Sequence, residues 1–189
     1  KSPVPGRGHS SPTVVGNIIA IQTADEMQKT QSVVAFDRRT GKQLWHQIIN
    51  RGGFPERIHP KNSHATSTLA SDGKRLFAAA FHHESIHLTA LNLDGDQLWT
   101  KKIGPFRPQE YRNGYAASPI LYGDHVIVLA ECDDLSYMVA LERTTGKEIW
   151  RTKRPSNISY SSPVIGRVAG RDQILIAGCH LVAGFDPTN

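Results

Sequence analysis

All three tryptophans of this 189-residue chain close copies of one repeated stretch, and nothing else in the sequence constrains the fold as much. The first copy, residues 33–45, reads Val-Val-Ala-Phe-Asp-Arg-Arg-Thr-Gly-Lys-Gln-Leu-Trp and ends at Trp45. Residues 88–99 and 138–150 repeat it and end at Trp99 and Trp150, and residues 181–189 begin it once more. Each copy has the physics of a hairpin. An apolar run with a small residue inside it (Ala35, Ala90, Ala140) makes one strand, and an acidic or amide corner leads into the turn. Gly41, Gly95 and Gly146 then supply the positive φ that such a loop needs, free of any Cβ clash. The returning strand carries an aliphatic residue and the indole. A recurring indole, large and apolar with one N–H that needs an acceptor when buried, reads as a docking element between units.

The tryptophans recur about every 50 residues, and short-strand repeats of that period belong to β-propellers, one repeat per blade. A second signature precedes each hairpin: a Ser-Pro-like start to a short strand, a turn and another strand, as in residues 11–19 and 118–128. Proline is tolerated at a strand start because its missing N–H need not be paired there. Together the two signatures give a four-stranded antiparallel meander per unit, with near-continuous apolar runs that require cover on both faces. No segment keeps helical spacing of apolar residues over three turns. The expectation is one all-β domain, residues 1–189, a partial β-propeller of about four blades. The repeats fall at about 7–50, 62–103, 114–153 and 158–189, the last incomplete.

Composition removes other classes. No apolar run reaches the roughly 18 residues of a membrane helix. The net charge of +5 is spread through turns and strand ends, and its densest cluster, residues 151–154, reads as a solvated loop, so no nucleic-acid partner is expected. Cys132 and Cys179 are too few for a disulfide framework and too far apart for a metal knuckle, although one bond between corresponding strands is conceivable. No nucleophile elbow, phosphate loop or His-Glu-x-x-His motif occurs.

The pattern Ala-x-Asp-x-x-Thr-Gly-Lys-x-x-Trp is carried in full by Ala35, Asp37, Thr40, Gly41, Lys42 and Trp45 and nearly so by residues 140–150. It resembles the repeat of the pyrroloquinoline-quinone-like β-propellers, which include quinoprotein alcohol dehydrogenases and a lipoprotein that assists outer-membrane protein assembly. The segments around Gly6, His9, Phe54 and His64 are most similar to exported bacterial propellers with no assigned reaction. The resemblance implies eight blades, the rest supplied by the same full-length chain, and a periplasmic or otherwise exported location. It also implies that each tryptophan packs between the small strand residue and the turn glycine of neighbouring blades. The dehydrogenases of the family use Glu, Asn and Asp on calcium, an indole under the quinone and often adjacent cysteines. Here the cysteines are apart and the tryptophans are committed to docking.

Four side chains stand just before the inner strands: His9, His64, Tyr115 and Tyr160. In a propeller they would gather at one channel mouth with Ser10, Thr66 and Ser161, as a polar ligand site or as backbone hydrogen-bonders at strand starts. His82, His83 and His87 fit an exposed hairpin tip, and Glu131, Asp133 and Asp134 lack the spacing and turn glycine of a calcium loop. No catalytic or metal residue is assigned. The two long connections, residues 51–63 and 104–114, are rich in Gly, Pro, aromatic and charged residues, the kind of loops where binding chemistry sits. The sequence thus points to a non-catalytic scaffold that binds a protein or polysaccharide through its loops, without a cofactor. The alternative is a periplasmic dehydrogenase using pyrroloquinoline quinone with calcium, its site partly in further blades.

Overall fold

A computed structural model describes residues 1–178 and 180–189, and all its regular structure is β. Four antiparallel sheets follow one another along the chain. Blade 1 holds β1 (Thr13–Val15), β2 (Ile18–Asp25), β3 (Thr30–Asp37) and β4 (Gln43–Arg51). Blade 2 holds β5 (Ala70–Ser71), β6 (Arg75–His82), β7 (Ser85–Asn92) and β8 (Gln97–Pro105). Blade 3 holds β9 (Ile120–Tyr122), β10 (His125–Ala130), β11 (Ser136–Glu142) and β12 (Glu148–Arg154). Blade 4 holds β13 (Val164–Val168), β14 (Arg171–Gly178) and β15 (Leu181–Phe185). Within each sheet the spatial order is the chain order, and the short first strands β1, β5, β9 and β13 neighbour one another from blade to blade. This is an open, unclosed propeller of four blades.

Strand alternation sorts the core. Along β6, Leu76, Ala78 and Ala80 face blade 1, in one cluster with Val33 and Ala35 of that blade. Phe77 and Ala79 point the other way, into a larger cluster with Val126, Val128, Met138, Ile174 and Ile176. Because side chains alternate with period 2, one strand fills two interblade cores, and both must stay apolar. Outer strands β4, β8 and β12 are exposed or half-buried along most of their length.

The three hairpins share one register. Trp45 lies opposite Ala35, Trp99 opposite Ala90 and Trp150 opposite Ala140, each followed by a bulge. The indole N–H of Trp45 donates to Leu93 O at 2.9 Å, and that of Trp99 to Arg143 O at 3.3 Å, both acceptors in the next blade's turn. The rings cover the turn glycines, so that a Cβ on Gly95 or Gly146 would stand 2.8 Å from the indole of Trp45 or Trp99. Gly41 is covered instead by Ser2, whose hydroxyl donates to Gly41 O at 2.6 Å. The buried Nε1 of Trp150 has no acceptor among the described residues, although the half-buried ring packs against the main core.

A second set of ties runs along the inner strand starts. The backbone N–H of Ser11 donates to the Thr68 hydroxyl at 3.0 Å, that of Thr68 to Ser118 at 2.9 Å, and that of Ser118 to Ser162 at 2.9 Å. One hydroxyl per blade therefore accepts the amide of the blade before it.

The basic cluster at 151–154 is not a solvated loop. It is strand β12, and its arginines are engaged. Arg151 lies over the Tyr137 ring at 5.0 Å and donates to Ile103 O at 2.8 Å. Arg154 is buried against Glu131, with Nε and Nη2 both on Oε1 at 2.9 and 2.8 Å, and its guanidinium covers Phe185. A planar, weakly hydrated cation suits such a place better than an ammonium would. Cys132 is a buried free thiol whose Sγ donates to Leu135 O at 3.4 Å, and its conceivable bond to Cys179 lies outside the described residues.

Candidate functional site

The residues placed before the inner strands do not share one pocket. His64 and Tyr115 line a small cavity with Ser63, Thr66 and Gln22, and it has room for about one water. The His64 ring stacks on Phe54 at 4.1 Å, and burial lowers its pKa. Tyr115 belongs to the core: its hydroxyl donates to Leu129 O at 2.8 Å, and burial pushes its pKa far up. Exposed His9 reaches the cavity only through Ser63, 3.0 Å from its Nδ1. Tyr160 lies apart and donates to Tyr111 O at 3.2 Å. Ser10 exchanges hydrogen bonds with the backbone of Gln22 in β2, and Ser161 contacts Ser159.

A larger concavity lies between the two long connections. Two adjoining hollows of about 430 and 460 Å³ share Arg57, Gln109 and Arg112. One wall is the stretch 53–60, the other 106–113, with Phe81 and Phe106 in T-shaped contact at 5.1 Å between them. Neither wall is a free loop. Asn62 Nδ2 donates to Asn113 O, tying one to the other. The Asp133 carboxylate accepts the backbone N–H groups of Gln109 at 2.9 Å and Glu110 at 2.6 Å. Partial burial raises the pKa of Asp133, but those two donors outweigh it and the net shift is downward. Tyr111 is 59% exposed at the rim, and Arg57 makes no ion pair among the described residues, whereas Arg107 stands 3.4 Å from Glu84. The groove thus offers aromatic faces, guanidinium groups and carboxylates on walls fixed before anything binds. Sequence reasoning marked the two loops by composition and weighed Asp133 only as a calcium ligand, because the pairing of the walls depends on which blades stand side by side.

The histidines of blade 2 are only in part an exposed tip: His83 is exposed at the turn, His87 is half-buried and His82 is buried. The His82 ring stacks on His87 at 3.9 Å, while Gly53 lies against the neighbouring His83 ring. Nδ1 of His82 lies 2.9 Å from Nδ1 of His83, and its Nε2 has no partner among the described residues. Burial first, then the neighbouring His87 and His83, depress the His82 pKa to about 4.

A quinone with calcium needs an indole to lie under the ring and carboxylates to hold the ion. The indoles lie in blade contacts, Glu131 is paired with Arg154, and Asp133 holds backbone amides. Among the described residues no three His, Cys, Asp or Glu side chains stand together as a metal set. These residues do not fit the group.

A family model described as the outer membrane protein assembly factor BamB matches residues 1–109 and 29–189, and the chain belongs to that family. No curated protein matches the sequence. Among solved structures, BamB from Moraxella catarrhalis is 13% identical with a TM-score of 0.50, over 98% of this chain and 62% of that one. A europium-containing methanol dehydrogenase is 16% identical with a TM-score of 0.56, over 78% of this chain and 25% of that one. The computationally designed Ika4 protein is 12% identical with a TM-score of 0.56, over 97% and 95%. At such identities the likeness shows the fold alone. The chain spans a quarter of the dehydrogenase and less than two thirds of BamB.

Proposed function

We propose that this chain is a non-catalytic binding scaffold of an exported propeller protein, and that the groove between residues 53–60 and 106–113 receives a protein or polysaccharide partner. The observation that carries this reading is the bracing of both walls, by Asn62 on Asn113 and by Asp133 on the 109–110 amides, around a mixed aromatic and charged surface. Preorganised walls reduce the ordering entropy that binding must overcome. Relatives of this fold include both BamB and a methanol dehydrogenase, so the fold by itself does not choose. The choice rests on the side chains, which are committed to holding blades and loops. Family membership supports export. No helix among the described residues is long and apolar enough to cross a membrane.

The test places a photo-crosslinking amino acid at Tyr111 in the full-length protein, with Leu44, exposed on outer strand β4, as the control. Selective capture of a protein or labelled polysaccharide from Tyr111 is the expected result; equal capture from both positions removes the groove. Stoichiometric uptake of pyrroloquinoline quinone with calcium, seen as a bound chromophore, overturns the scaffold reading.

A further inference from the structure

We propose that His82 and His83 form a proton-operated latch holding residues 52–54 against the tip of blade 2, so that acidification loosens one wall of the groove. The effect on binding rests on the groove reading above; the latch itself does not.

The Nδ1 atoms of His82 and His83 are 2.9 Å apart. A hydrogen bond between two ring nitrogens needs one N–H and one lone pair, so this contact holds a single proton. Protonating the accepting nitrogen sets two N–H groups head to head, and one ring must leave. His82 is the buried member, held flat against His87 at 3.9 Å. His83 is exposed, and it and Glu84 form the turn with φ of 46° and 51°. His83 is therefore the ring that moves.

Its departure has a defined cargo. The His83 backbone N–H donates to Gly53 O at 2.7 Å, and the ring lies on Gly53 so closely that a Cβ there would stand 2.3 Å from Nδ1. Gly53, Phe54 and His83 all line the groove. The far end of the loop stays anchored, because Gly52 N donates to Lys29 O at 2.8 Å.

The charged neighbours do little to welcome the extra proton. Lys102 of β8 stands across from His87, and Arg107 from the following connection takes up the Glu84 carboxylate of the turn. Glu56 and Arg57, from the loop that is held, line the same hollow as His83 and offset one another in charge. Burial and the His87 and His83 neighbours delay protonation of His82 to about pH 4.

The test is an NMR titration of the full chain from above pH 6.5 to below pH 4, following the His82 ring, the Gly52 and Gly53 amides and the Trp45 indole N–H. The expected result is that Gly53 shifts with the midpoint of His82, Gly52 shifts less, and the Trp45 resonance stays. His82→Phe, which keeps a flat ring and removes the proton, should abolish the Gly53 response, and His83→Ala should do the same from the other side. The latch is overturned by a Gly53 amide that ignores the His82 titration, by a response that survives His82→Phe, or by loss of the Trp45 resonance at the same midpoint. None of these readouts needs a ligand. A responding Gly53 in a protein that captures nothing through Tyr111 supports the latch and removes the groove reading instead.

Discussion

Trp45 and Gly95 belong to different blades, yet the glycine can carry no side chain because the indole lies where its Cβ would be, 2.8 Å away. The same ring donates its N–H to Leu93 O, two residues before that glycine. Packing and hydrogen bonding thus converge on one turn, and the blade junction depends on both.

Trp99 is half-buried, so replacing it by Ala should cost about 3 kcal/mol, the low end of the loss for a large buried aromatic. Trp45→Phe and Trp150→Phe separate the hydrogen bond from the packing. The first loses a bond worth about 1 kcal/mol; the second loses none, since the Trp150 Nε1 has no acceptor among the described residues. Urea melts check the ordering, and a Trp150→Phe loss as large as that of Trp45→Phe would contradict it.

Gly95→Ala meets both a left-handed φ of 94° and the Trp45 ring, whereas Gly123, at φ 53°, has nothing within 4 Å. Gly123→Ala should cost about 1 kcal/mol, for backbone strain alone, and Gly95→Ala at least about 2 kcal/mol, with overpacking added. Equal shifts in thermal melts would mean that the ring yields freely.

Ser118→Ala removes the acceptor of the Thr68 amide and should destabilise by about 1–2 kcal/mol, leaving a donor unsatisfied. Hydrogen exchange gives the specific sign: the Thr68 amide should exchange faster while that of Ser11, which donates to Thr68 itself, should not.

The buried pair of Arg154 and Glu131 predicts an asymmetry. Glu131→Leu alone strands a buried guanidinium and should cost about 3–5 kcal/mol, while Glu131→Leu with Arg154→Met should recover most of that loss. Chemical denaturation of the three proteins decides it.

Acid should weaken the fold through His82. Its folded pKa, about 4, lies below the ordinary 6.5, so the unfolded chain binds the proton more readily. The stability tied to this group is fully present above pH 6.5 and is lost as pH falls toward 4, by up to about 3 kcal/mol. His82→Phe should flatten that limb of a stability profile measured against pH.

The blades were legible in the sequence because a large ring, a small strand residue and a turn glycine recur at one spacing, and few architectures use that triple. That each tryptophan packs against a neighbouring blade's turn glycine was an expectation of the resemblance, not of the spacing, and the forward direction is visible only in the structure. The hydroxyl ties were hidden because Ser and Thr at strand starts serve turns just as often, and their acceptor role exists only once blades stand side by side. His82 shows the opposite failure. Its alternation with Phe81 and Ile86 looked like a solvated tip, yet in the structure it is buried with its ring flat on His87, a contact the alternation does not show. The groove was legible as two loops of suggestive composition, not as a surface.

Both sets of ties have a direction. Trp45 and Trp99 reach forward into the following turn, and Ser11, Thr68 and Ser118 lend their amides forward to the following hydroxyl. A gene for such a protein can duplicate or delete one whole period and keep the amide-to-hydroxyl tie at every surviving seam, because that tie has the same kind of giver and receiver each time. Lengthening by copying is therefore the cheapest route open to this architecture, and novelty is free to accumulate in the segments that the seams never touch.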